Sequence, residues 1–373
     1  MSKVAVLCDT HFGARGDSPV LHASMAKFYA NVFFPTLDAH GIRTVLHGGD
    51  YTDRRKYVNF GTARFVHEHY RTPMKQRGIK EIVLVGNHDC FLKHSNDINS
   101  IEELYRGDPD ISIVKEPCTW TVAGHDGSTY AMLLLPWVNE QNYHHTLELI
   151  RNSPAQMVLG HLELAGFQMY RGMPSEHGMD PQLFDRFNLV MSGHYHHKSS
   201  KGPIHYLGAP YPMIWSDYRD PRGFHLLDLD TQELEFIPNP YSIFYRLVYD
   251  DGGKPFEYIE TLVQDINAPD SPYREAYIKV VVRQKTQPYW FELLMDALYK
   301  VNALDVVIVD DIIVNDDDTE TRTDDDLSTV DTLSVMTDFV DTLSISCDKN
   351  ELTNYLRDLY HEALAANQSA RLS

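Results

Sequence analysis

The stretch Glu81–Asp89 reads E-I-V-L-V-G-N-H-D, and the rest of the chain is best interpreted outward from it. Its apolar run at 82–85 is mostly β-branched and too short for a helix, which is typical of a buried strand. An amide, an imidazole and a carboxylate then follow at Asn87, His88 and Asp89. Because buried polar groups need partners, we expect these three in a loop at the carboxyl end of a parallel strand, where α/β proteins bind ligands.

The chain repeats this arrangement of an apolar run and a polar loop four more times. The other runs, with the residues that follow them, are Val4–Cys8 with Asp9 and His11, Thr44–Leu46 with Asp50, Met157–Leu159 with His161, and Leu189–Ser192 with His194 and His196. Helical spacing of apolar residues over 22–39 and 60–77 separates the first three runs, whereas residues 111–135 are expected to form shorter antiparallel strands. Alternation of strands and helices predicts an α/β fold with parallel strands, whose polar ends should meet at one edge.

We interpret these strand ends as a metal site. A single His or Asp after a strand is more often a hydrogen-bonded loop residue, but no fold requires five such ends. Carboxylate, amide and imidazole ligands without thiolate favour Mn²⁺, Fe or Mg²⁺. Seven candidates suit two ions with one shared carboxylate, and such pairs hydrolyse phosphate esters. The candidate ligands are Asp9, His11, Asp50, Asn87, His161, His194 and His196.

Two further residues are candidates for catalysis rather than metal binding. His88 adjoins the candidate ligand Asn87 but need not be a ligand itself. A non-ligand imidazole beside the metals can neutralise developing charge or protonate the leaving oxygen. Asp53 lies three residues beyond Asp50 and would hold that imidazole in the required tautomer.

Composition narrows the class of protein. The chain has 373 residues, 43% of them hydrophobic, which suits a globular protein of two domains. Residues 303–373 hold 17 Asp or Glu and 4 Lys or Arg, so they carry −13 of the net charge of −20. This charge neither indicates nor excludes nucleic-acid binding. Four cysteines without C-x-x-C spacing and no run of about 20 apolar residues predict a cytoplasmic protein without a membrane span.

The character of the chain changes after Pro238-Asn-Pro240. A small α+β unit is predicted next, with strands at 245–249, 277–283 and 304–314 and a helix at 289–301. Two amphipathic helices are predicted near the carboxyl terminus, where Val-Asp-Thr-Leu-Ser occurs twice. The predicted domains are therefore a catalytic domain at 1–240, an appended domain at 241–314, an acidic linker at 315–326 and a helical arm at 327–373.

The ordered motifs resemble those of calcineurin-like metallophosphoesterases. They are D-x-H at 9–11, G-D-x-x-D at 49–53, G-N-H-D at 86–89, G-H at 160–161 and G-H-x-H at 193–196. The resemblance implies a four-layer α/β/β/α sandwich with a mixed sheet. It also implies that Asp50 bridges two ions, with Asp9, His11 and His196 on one and Asn87, His161 and His194 on the other.

Within that superfamily, the chain looks most like the nuclease subunit of SbcC–SbcD type complexes in its tailed-phage form. Protein phosphatases carry G-D-x-V-D-R-G and G-N-H-E, from which this chain departs, and cyclic-nucleotide phosphodiesterases lack the trailing unit. The supporting stretches are G-H-L-E-L-A-G-F at 160–167, Y-R-G-M at 170–173, S-G-H-Y-H at 192–196, D-P-R-G-F at 220–224 and E-F-I-P-N at 235–239.

This resemblance implies a Mn²⁺-dependent nuclease, acting as a double-strand 3′-to-5′ exonuclease and an endonuclease in recombination, repair and replication of phage DNA. The appended domain would cap DNA, and the arm would bind an SMC-like ATPase. If the chain is phage-encoded, its location would be the host cytoplasm. A homodimer would form through the helices at 22–39 and 60–77. Relatives of cellular origin often have His where Asp53 stands. For DNA contacts the chain offers basic residues just beyond the motifs, although solvated loop charge explains each equally well: Arg15, Arg54, Arg55, Lys56 and Lys93.

Two alternatives remain open. The chain could be a metallophosphatase or phosphodiesterase for small phosphoesters or phosphoproteins on the same fold. It could instead be a degenerate member that serves only as a scaffold for an ATPase. The presence of a suitable residue at every ligand position disfavours the scaffold.

Overall fold

The computed structural model describes residues 2–123, 127–170 and 173–310. Within them, residues 2–213 and 217–310 belong to one compact unit. The predicted linker at 315–326, the arm at 327–373 and the end of the strand predicted at 304–314 lie outside the described residues. The strands are β1 Lys3–Leu7, β2 Thr44–His47, β3 Lys80–Leu84, β4 Cys90–Leu92, β5 Ser95–Asn99, β6 Ile111–Val114, β7 Cys118–Ala123, β8 Thr129–Leu135, β9 Met157–His161, β10 Gln168–Tyr170, β11 Met173–Pro174, β12 Leu189–Gly193, β13 Ser199–Lys201, β14 Ile204–Tyr206, β15 Gly223–Asp228, β16 Leu234–Pro238, β17 Phe244–Asp250, β18 Tyr277–Gln284 and β19 Asp305–Asp310.

The helices interleave with these strands. The α-helices are α1 Ala14–Asp17, α2 Pro19–Phe28, α3 Phe34–Ala39, α4 Phe60–Val66, α5 Thr72–Gln76, α6 Ser100–Tyr105, α7 Tyr143–Asn152, α8 Phe256–Ile266 and α9 Pro288–Lys300. Two π-helical segments, Tyr29–Phe33 and His67–Arg71, join α2 to α3 and α4 to α5. Short 3₁₀ helices span Pro181–Phe184 and Trp215–Asp217.

Two six-stranded mixed sheets form the catalytic part of the chain, so the mixed α/β architecture is confirmed. The first sheet has the order β16-β15-β1-β2-β3-β6, in which β1, β2, β3 and β6 run parallel. The second has the order β13-β14-β12-β9-β8-β7, in which β14, β12, β9 and β8 run parallel.

Two sequence-based expectations are corrected by these sheets. The five strands with polar ends do not share one sheet, since β1, β2 and β3 belong to the first and β9 and β12 to the second. Residues 111–135 were expected to form short antiparallel pieces, but β6 is parallel to β3 and β8 is parallel to β9. Within the described part of this range, only β7 and β8 pair in the antiparallel sense.

The hydrophobic core lies between the two sheets. Alternate residues of β1, Val4 and Val6, pack with Met157 and Leu159 of β9 in one buried cluster. The opposite face of the second sheet packs Leu133 and neighbouring residues against α7. Because both faces of each sheet are covered, their strands are apolar on both sides, as in other parallel sheets.

Helices cover the outer face of the first sheet through aromatic side chains. Phe28 and Phe33 lie with ring centroids 6.1 and 4.9 Å from Phe224 of β15. Tyr70 packs against Tyr29 at 4.9 Å and donates a hydrogen bond to Glu81 of β3. This interdigitation fixes the helices against the sheet whose strands end in Asp9, Asp50 and Asn87.

The appended unit differs from its prediction. Strands β17, β18 and β19 form a separate, fully parallel sheet, with α8 and α9 as crossovers between them. It is therefore an α/β unit and not α+β. The sequence prediction omitted α8, although Ile259 and Ile266 are buried at the spacing of one helix face.

Some features bear on the cellular setting. Among the described residues, no helix is both long and apolar enough to cross a membrane. Cys8, Cys90 and Cys118 are not disulfide-bonded.

Candidate metal centre

The carboxyl ends of strands from both sheets meet at one place. His194 lies just after β12, and Asp9 lies just after β1. The backbone N–H of His194 donates a hydrogen bond to Asp9 Oδ1 at 2.9 Å. A Cβ on Gly193 would lie 2.8 Å from the carbonyl oxygen of Gly48, so the main chains of the two sheets are in close contact. The structure thereby brings all seven candidate ligands of the sequence analysis together.

One group of ligand atoms comes from Asp9, His11 and His196, which lie within 4.8 Å of one another. The Nε2 atoms of His11 and His196 are 2.9 Å apart. Asp9 is fully buried, and its Oδ2 has no hydrogen-bond partner among the described residues. A buried carboxylate oxygen without a partner is costly unless a cation satisfies it.

A second group comes from Asp50, His161 and His194, again within 4.8 Å. Asn87 Oδ1 joins this group, at 2.8 Å from His161 Nε2 and 2.9 Å from His194 Nδ1. His161 Nδ1 lies 2.9 Å from the carbonyl oxygen of Gly48, which can only accept a hydrogen bond. The proton of neutral His161 therefore sits on Nδ1 and leaves the Nε2 lone pair facing the group, as in many metal sites.

Asp50 lies between the two groups. Its Oδ2 is 3.5 Å from His11 Nε2, and its Oδ1 is 3.3 Å from His161 Nε2. Oδ1 also accepts the backbone N–H of His88 at 2.8 Å. Each carboxylate oxygen thus faces a different group, which is the arrangement that a bridging ligand requires.

Four of the candidate ligand residues have strained backbones. Asp9, His11, Asp50 and His194 have φ angles of 51°, 40°, 52° and 84°. Non-glycine residues in this left-handed region cost about 1–3 kcal/mol each and persist where the surrounding structure enforces them. Their concentration at the strand ends indicates that the fold holds these side chains in place for a function.

Two glycines allow the loops to approach this closely. A Cβ on Gly86 would lie 2.2 Å from both the backbone nitrogen and Oδ1 of Asp50. Gly49 has φ 96°, and a Cβ there would meet His161 Nδ1 at 2.5 Å. Lack of space therefore requires glycine in both the G-D and the G-N pair, and at Gly49 the backbone conformation favours glycine as well.

The charges of the centre are strongly coupled. Burial disfavours the charged form of Asp50, but His161 and His88 outweigh it and hold the pKa of this carboxyl well below its usual range. Burial likewise opposes protonation of His161, yet Asp50 raises its pKa to about 9. Burial and the charge of His161 lower the pKa of His194 to about 3. Positive charge is thus stabilised beside Asp50, where a divalent cation would be placed.

His88 and Asp53 are adjacent, but not as the sequence suggested. His88 Nδ1 lies 2.7 Å from the main-chain carbonyl oxygen of Asp53. The Asp53 carboxylate instead points to His11, with Oδ1 3.4 Å from Nδ1. His11, Asp53 and His88 also form a third group of possible ligand atoms within 4.8 Å. The tautomer of His88 is set by the backbone at position 53, which does not depend on the side chain there.

Comparison with known proteins identifies the family. The family model for calcineurin-like phosphoesterase matches residues 2–198. The chain belongs to the calcineurin-like phosphoesterase family. This confirms the resemblance of the five motifs, and makes the chain a hydrolase of phosphate esters that uses divalent metals.

The individual proteins to which this chain is similar include two nuclease subunits and one phosphodiesterase. The phosphoesterase is 33% identical to exonuclease subunit 1 of Enterobacteria phage T4 over 252 residues, which cover 68% of this chain and 72% of that protein. It is 23% identical over 200 residues to the SbcD subunit of the nuclease SbcCD from Staphylococcus saprophyticus, covering 50% of this chain and 46% of that one. A solved archaeal phosphodiesterase aligns with a TM-score of 0.31 and 15% identity, over 64% of this chain and 99% of that one.

Asp89 is a site residue to which the sequence analysis gave no role. Its buried carboxylate accepts the backbone N–H groups of Tyr51, Thr52 and Gly86 at 3.1, 2.8 and 2.9 Å. Burial and the charge of Asp50 raise its pKa to about 6. Asp89 therefore links the loop that follows Asp50 to the loop that contains Asn87. The sequence shows its place in G-N-H-D, but two of its partners, Tyr51 and Thr52, are distant in sequence.

Trp137 is a second residue that the sequence analysis did not place in the site. Its ring centroid is 5.2 Å from that of His194 and 6.1 Å from that of His161, so it packs against two candidate ligands of the phosphoesterase. It follows β8, which is parallel to β9 and ends at the same edge. Had β8 been interpreted as parallel to β9, the residues that follow it, including Trp137, would have been expected near the candidate site at the carboxyl ends of the strands.

The five basic candidates for DNA contact differ in their surroundings. Arg54 pairs with Asp17 at 2.9 Å and donates to the Tyr57 hydroxyl at 2.8 Å. The Arg15 guanidinium lies 5.5 Å from the ring centroid of Tyr277 in the appended unit. Arg55 is half-buried, whereas Lys56 and Lys93 are exposed, Lys93 at the β4–β5 turn.

Proposed function

We propose that this phosphoesterase is the nuclease subunit of a DNA-degrading exonuclease, and that it hydrolyses phosphodiester bonds with two divalent metal ions. The observation that carries the proposal is the position of Asp50 between two groups of converging ligand atoms. DNA as the substrate is supported by the similarity to an exonuclease subunit over most of both chains. The substrate class thus comes from relatives, and the chemistry from the site.

The residues fit two ions. Asp9, His11, Asp50 and His196 would hold one, and Asp50, Asn87, His161 and His194 the other. The oxygen and imidazole donors suit Mn²⁺, with Mg²⁺ or Fe as alternatives, and the unpartnered Asp9 Oδ2 calls for a cation. When bound, two such ions lower the pKa of a water molecule and neutralise charge on the phosphate.

His88 would act on the leaving group. Its Nδ1–H donates to the Asp53 carbonyl oxygen, so Nε2 is the nitrogen that can exchange a proton with substrate. The ring is half-buried, so it is accessible from solvent, unlike the fully buried Asp9 and His161. A positioned general acid of this kind contributes about 10²–10⁴ in rate.

A cleavage assay tests the proposal. Purified protein is incubated with end-labelled duplex DNA and with a chromogenic phosphodiester, in Mn²⁺, Mg²⁺ or EDTA. We expect cleavage of both substrates in Mn²⁺, none in EDTA, and a loss of about 10²–10⁴ in rate for His88→Gln. Hydrolysis of the small ester with intact DNA, even after a partner ATPase is added, would assign the protein to small phosphoesters instead. The same label reports the proposed 3′-to-5′ polarity and any endonuclease cuts.

The proposed partners are an SMC-like ATPase, bound through residues 327–373, and a second copy of the chain. The subunit nature of both relatives supports an assembly. Phe60, the first residue of α4, and Tyr57, three residues before it, are 93% and 61% exposed and would suit the dimer interface. Deleting 327–373 should abolish ATPase association in pull-down assays but preserve Mn²⁺-dependent hydrolysis. Loss of that hydrolysis would mean that the arm belongs to the catalytic fold.

Contacts to DNA are proposed for Arg15, Arg55, Lys56 and Lys93, with a smaller role for Arg54 because Asp17 already neutralises it. The appended unit at 241–314 is proposed to cap the bound duplex. Alanine at each of these lysines should weaken duplex binding and reduce its salt dependence, since each phosphate contact adds to the slope. Unchanged salt dependence would remove that lysine from the interface.

A further inference from the structure

The segment D-P-R-G-F at 220–224 has no part in the chemistry described above. Its arginine, Arg222, is only 5% exposed, and it reaches the loop that carries two candidate ligands. One guanidinium nitrogen, Nη1, donates a hydrogen bond to the main-chain carbonyl oxygen of His196. The side chain therefore touches a ligand residue through its backbone and leaves the imidazole free.

Two aspartates hold the guanidinium in this position. Arg222 Nη2 donates to Asp217 Oδ1 at 2.5 Å and to Asp220 Oδ2 at 2.8 Å. The other oxygen of Asp220 lies 2.9 Å from His197 Nδ1, so the network returns to the ligand loop one residue further on. Asp217 Oδ2 in turn accepts the backbone N–H of Met213 at 2.7 Å.

The His196 carbonyl is enclosed on other sides as well. It accepts the backbone N–H of Ala209 at 3.1 Å. A Cβ on Gly208 would lie 2.9 Å from it, so the two chain segments are in direct contact. The loop is held further by Tyr195, whose ring stacks on Tyr206 with centroids 4.6 Å apart. Of the two hydrogen bonds described to the His196 carbonyl, the one from Arg222 has a charged donor. Hydrogen bonds from charged donors are about twice as strong as those from neutral donors.

The two ligands of this loop are held by different contacts. His194 is fixed by its own N–H to Asp9 and by Asn87. The backbone of His196, by contrast, is held by Arg222, and its imidazole faces His11. Displacement of the Arg222 contact should therefore move His196 more than His194.

We propose that Arg222 is a positioning residue for the metal ion of Asp9, His11 and His196, braced by Asp217 and Asp220. The proposal rests on the two-ion function proposed above. Residues that orient metal ligands typically change metal affinity by about 10- to 100-fold when mutated. Arg222 and its two aspartates would likewise orient the candidate ligand His196, but through its main-chain carbonyl and not through its imidazole.

The test is Mn²⁺ binding to the full-length protein, followed by electron paramagnetic resonance and calorimetry. Arg222→Lys keeps the buried positive charge, but a single ammonium cannot reproduce the guanidinium fork. We expect two ions per chain in the wild type. In the variant we expect one ion bound as before and the other weakened about 10- to 100-fold. Asp217→Asn should weaken the same ion to a smaller extent.

Arg186→Lys is the matched control. Arg186 also donates to two main-chain carbonyl oxygens, those of Ile150 and Ser153, but neither belongs to a ligand loop. Its Mn²⁺ binding should equal that of the wild type. A second readout is chemical rescue: millimolar ethylguanidinium should restore the weakened ion in Arg222→Ala and have no effect on Arg186→Ala.

The outcomes separate this proposal from the one on which it rests. Fewer than two ions in the wild type would reject the two-ion function itself. Two ions in the wild type and the same two affinities in Arg222→Lys would overturn the role of Arg222. Equal weakening of both ions, or rescue failing in a variant whose circular dichroism is native, would show general loosening of the centre and likewise overturn it.

Discussion

At the scale of single residues, the roles proposed for Asp50 and His88 can be separated by experiment. Asp50 faces both ligand groups, whereas His88 is held by the Asp53 carbonyl and contacts Asp50 only through its backbone N–H. Asp50→Asn removes the charge that two ions would share, so we expect both Mn²⁺ affinities to fall by at least about tenfold. His88→Gln should leave them within about twofold while hydrolysis is lost. Calorimetric titration of both variants measures this difference, and equal loss of affinity would place His88 among the ligands.

Gly86 tests the close packing of the loops. A methyl group at this position would lie 2.2 Å from Asp50 atoms, a distance that real contacts do not reach. Gly86→Ala should therefore displace the Asp50 loop, destabilise the protein by about 1–3 kcal/mol and reduce metal binding. Chemical unfolding and Mn²⁺ titration measure the two effects. Gly61→Ala, in the first turn of α4, is the control, because alanine is favoured within helices.

At the scale of elements, the two long outer helices continue past a proline, and the structure shows how. Pro35 and Pro73 lack the N–H that an α-helix requires, and their rings clash with the preceding turn. In each helix a π-helical segment comes just before the proline, closed by Phe34 N–H to Tyr29 and by Thr72 N–H to His67. One extra residue in the turn relieves the clash, so the predicted helices at 22–39 and 60–77 are uninterrupted.

The appended unit depends on one buried carboxylate at the start of α9. Asp251 accepts the backbone N–H groups of Thr286 and Gln287 at 2.6 and 2.8 Å, and the hydroxyl of Tyr249 at 2.9 Å. Burial alone would raise the pKa of Asp251, but these hydrogen bonds outweigh it and the pKa is lowered. A carboxyl with a lowered folded-state pKa stabilises the fold above its unfolded pKa, and this contribution is lost as the pH falls through the folded value.

Asp251→Asn should accordingly destabilise the appended unit by about 2 kcal/mol at pH 7, since hydrogen bonds to charged groups contribute about 1.5–3 kcal/mol. The difference from the wild type should begin to shrink below about pH 4, where the aspartate is protonated in the unfolded chain, and should vanish as the pH falls through the lower folded-state pKa. Urea unfolding at several pH values measures this. Asp250→Asn, which removes a charge that accepts one hydrogen bond from Gly252, should have a smaller effect. A difference independent of pH would contradict the role of the charge.

At the scale of the whole molecule, the candidate metal centre lies where the edges of the two sheets meet. Ions bound there would hold Asp9, Asp50 and Asn87 of the first sheet to His161, His194 and His196 of the second. A ligand that binds only the folded state stabilises it by about 2.7 kcal/mol at 100 times its Kd. We therefore expect Mn²⁺ to raise the Tm by about 5–10 °C over EDTA. Scanning calorimetry measures the shift, which should be much smaller in Asp50→Asn. An equal shift in that variant would place the stabilising ions elsewhere.

The sequence by itself predicted the candidate ligands, the long helices and the family. Each candidate ligand stands within a few residues of the end of an apolar run, so a local pattern points to it without knowledge of the fold. The structure places all seven side chains together, as that pattern predicts. The helix at 256–266 had an equally local pattern and was overlooked, which led to the wrong class for the appended unit.

Only the tertiary structure decided how these pieces combine. Strand pairing is non-local, so no local pattern could show that the five strands belong to two sheets whose edges meet. For the same reason, the sequence could not predict the contacts of Asp89 and Arg222, whose partners include residues in other loops of the chain. The non-local nature of such contacts also explains the difference at Asp53. We expected its carboxylate to orient His88, but the contact to His88 comes from the main-chain carbonyl oxygen of Asp53. A side chain can be assigned from sequence, whereas the contacts of a main-chain atom depend on where the fold places it.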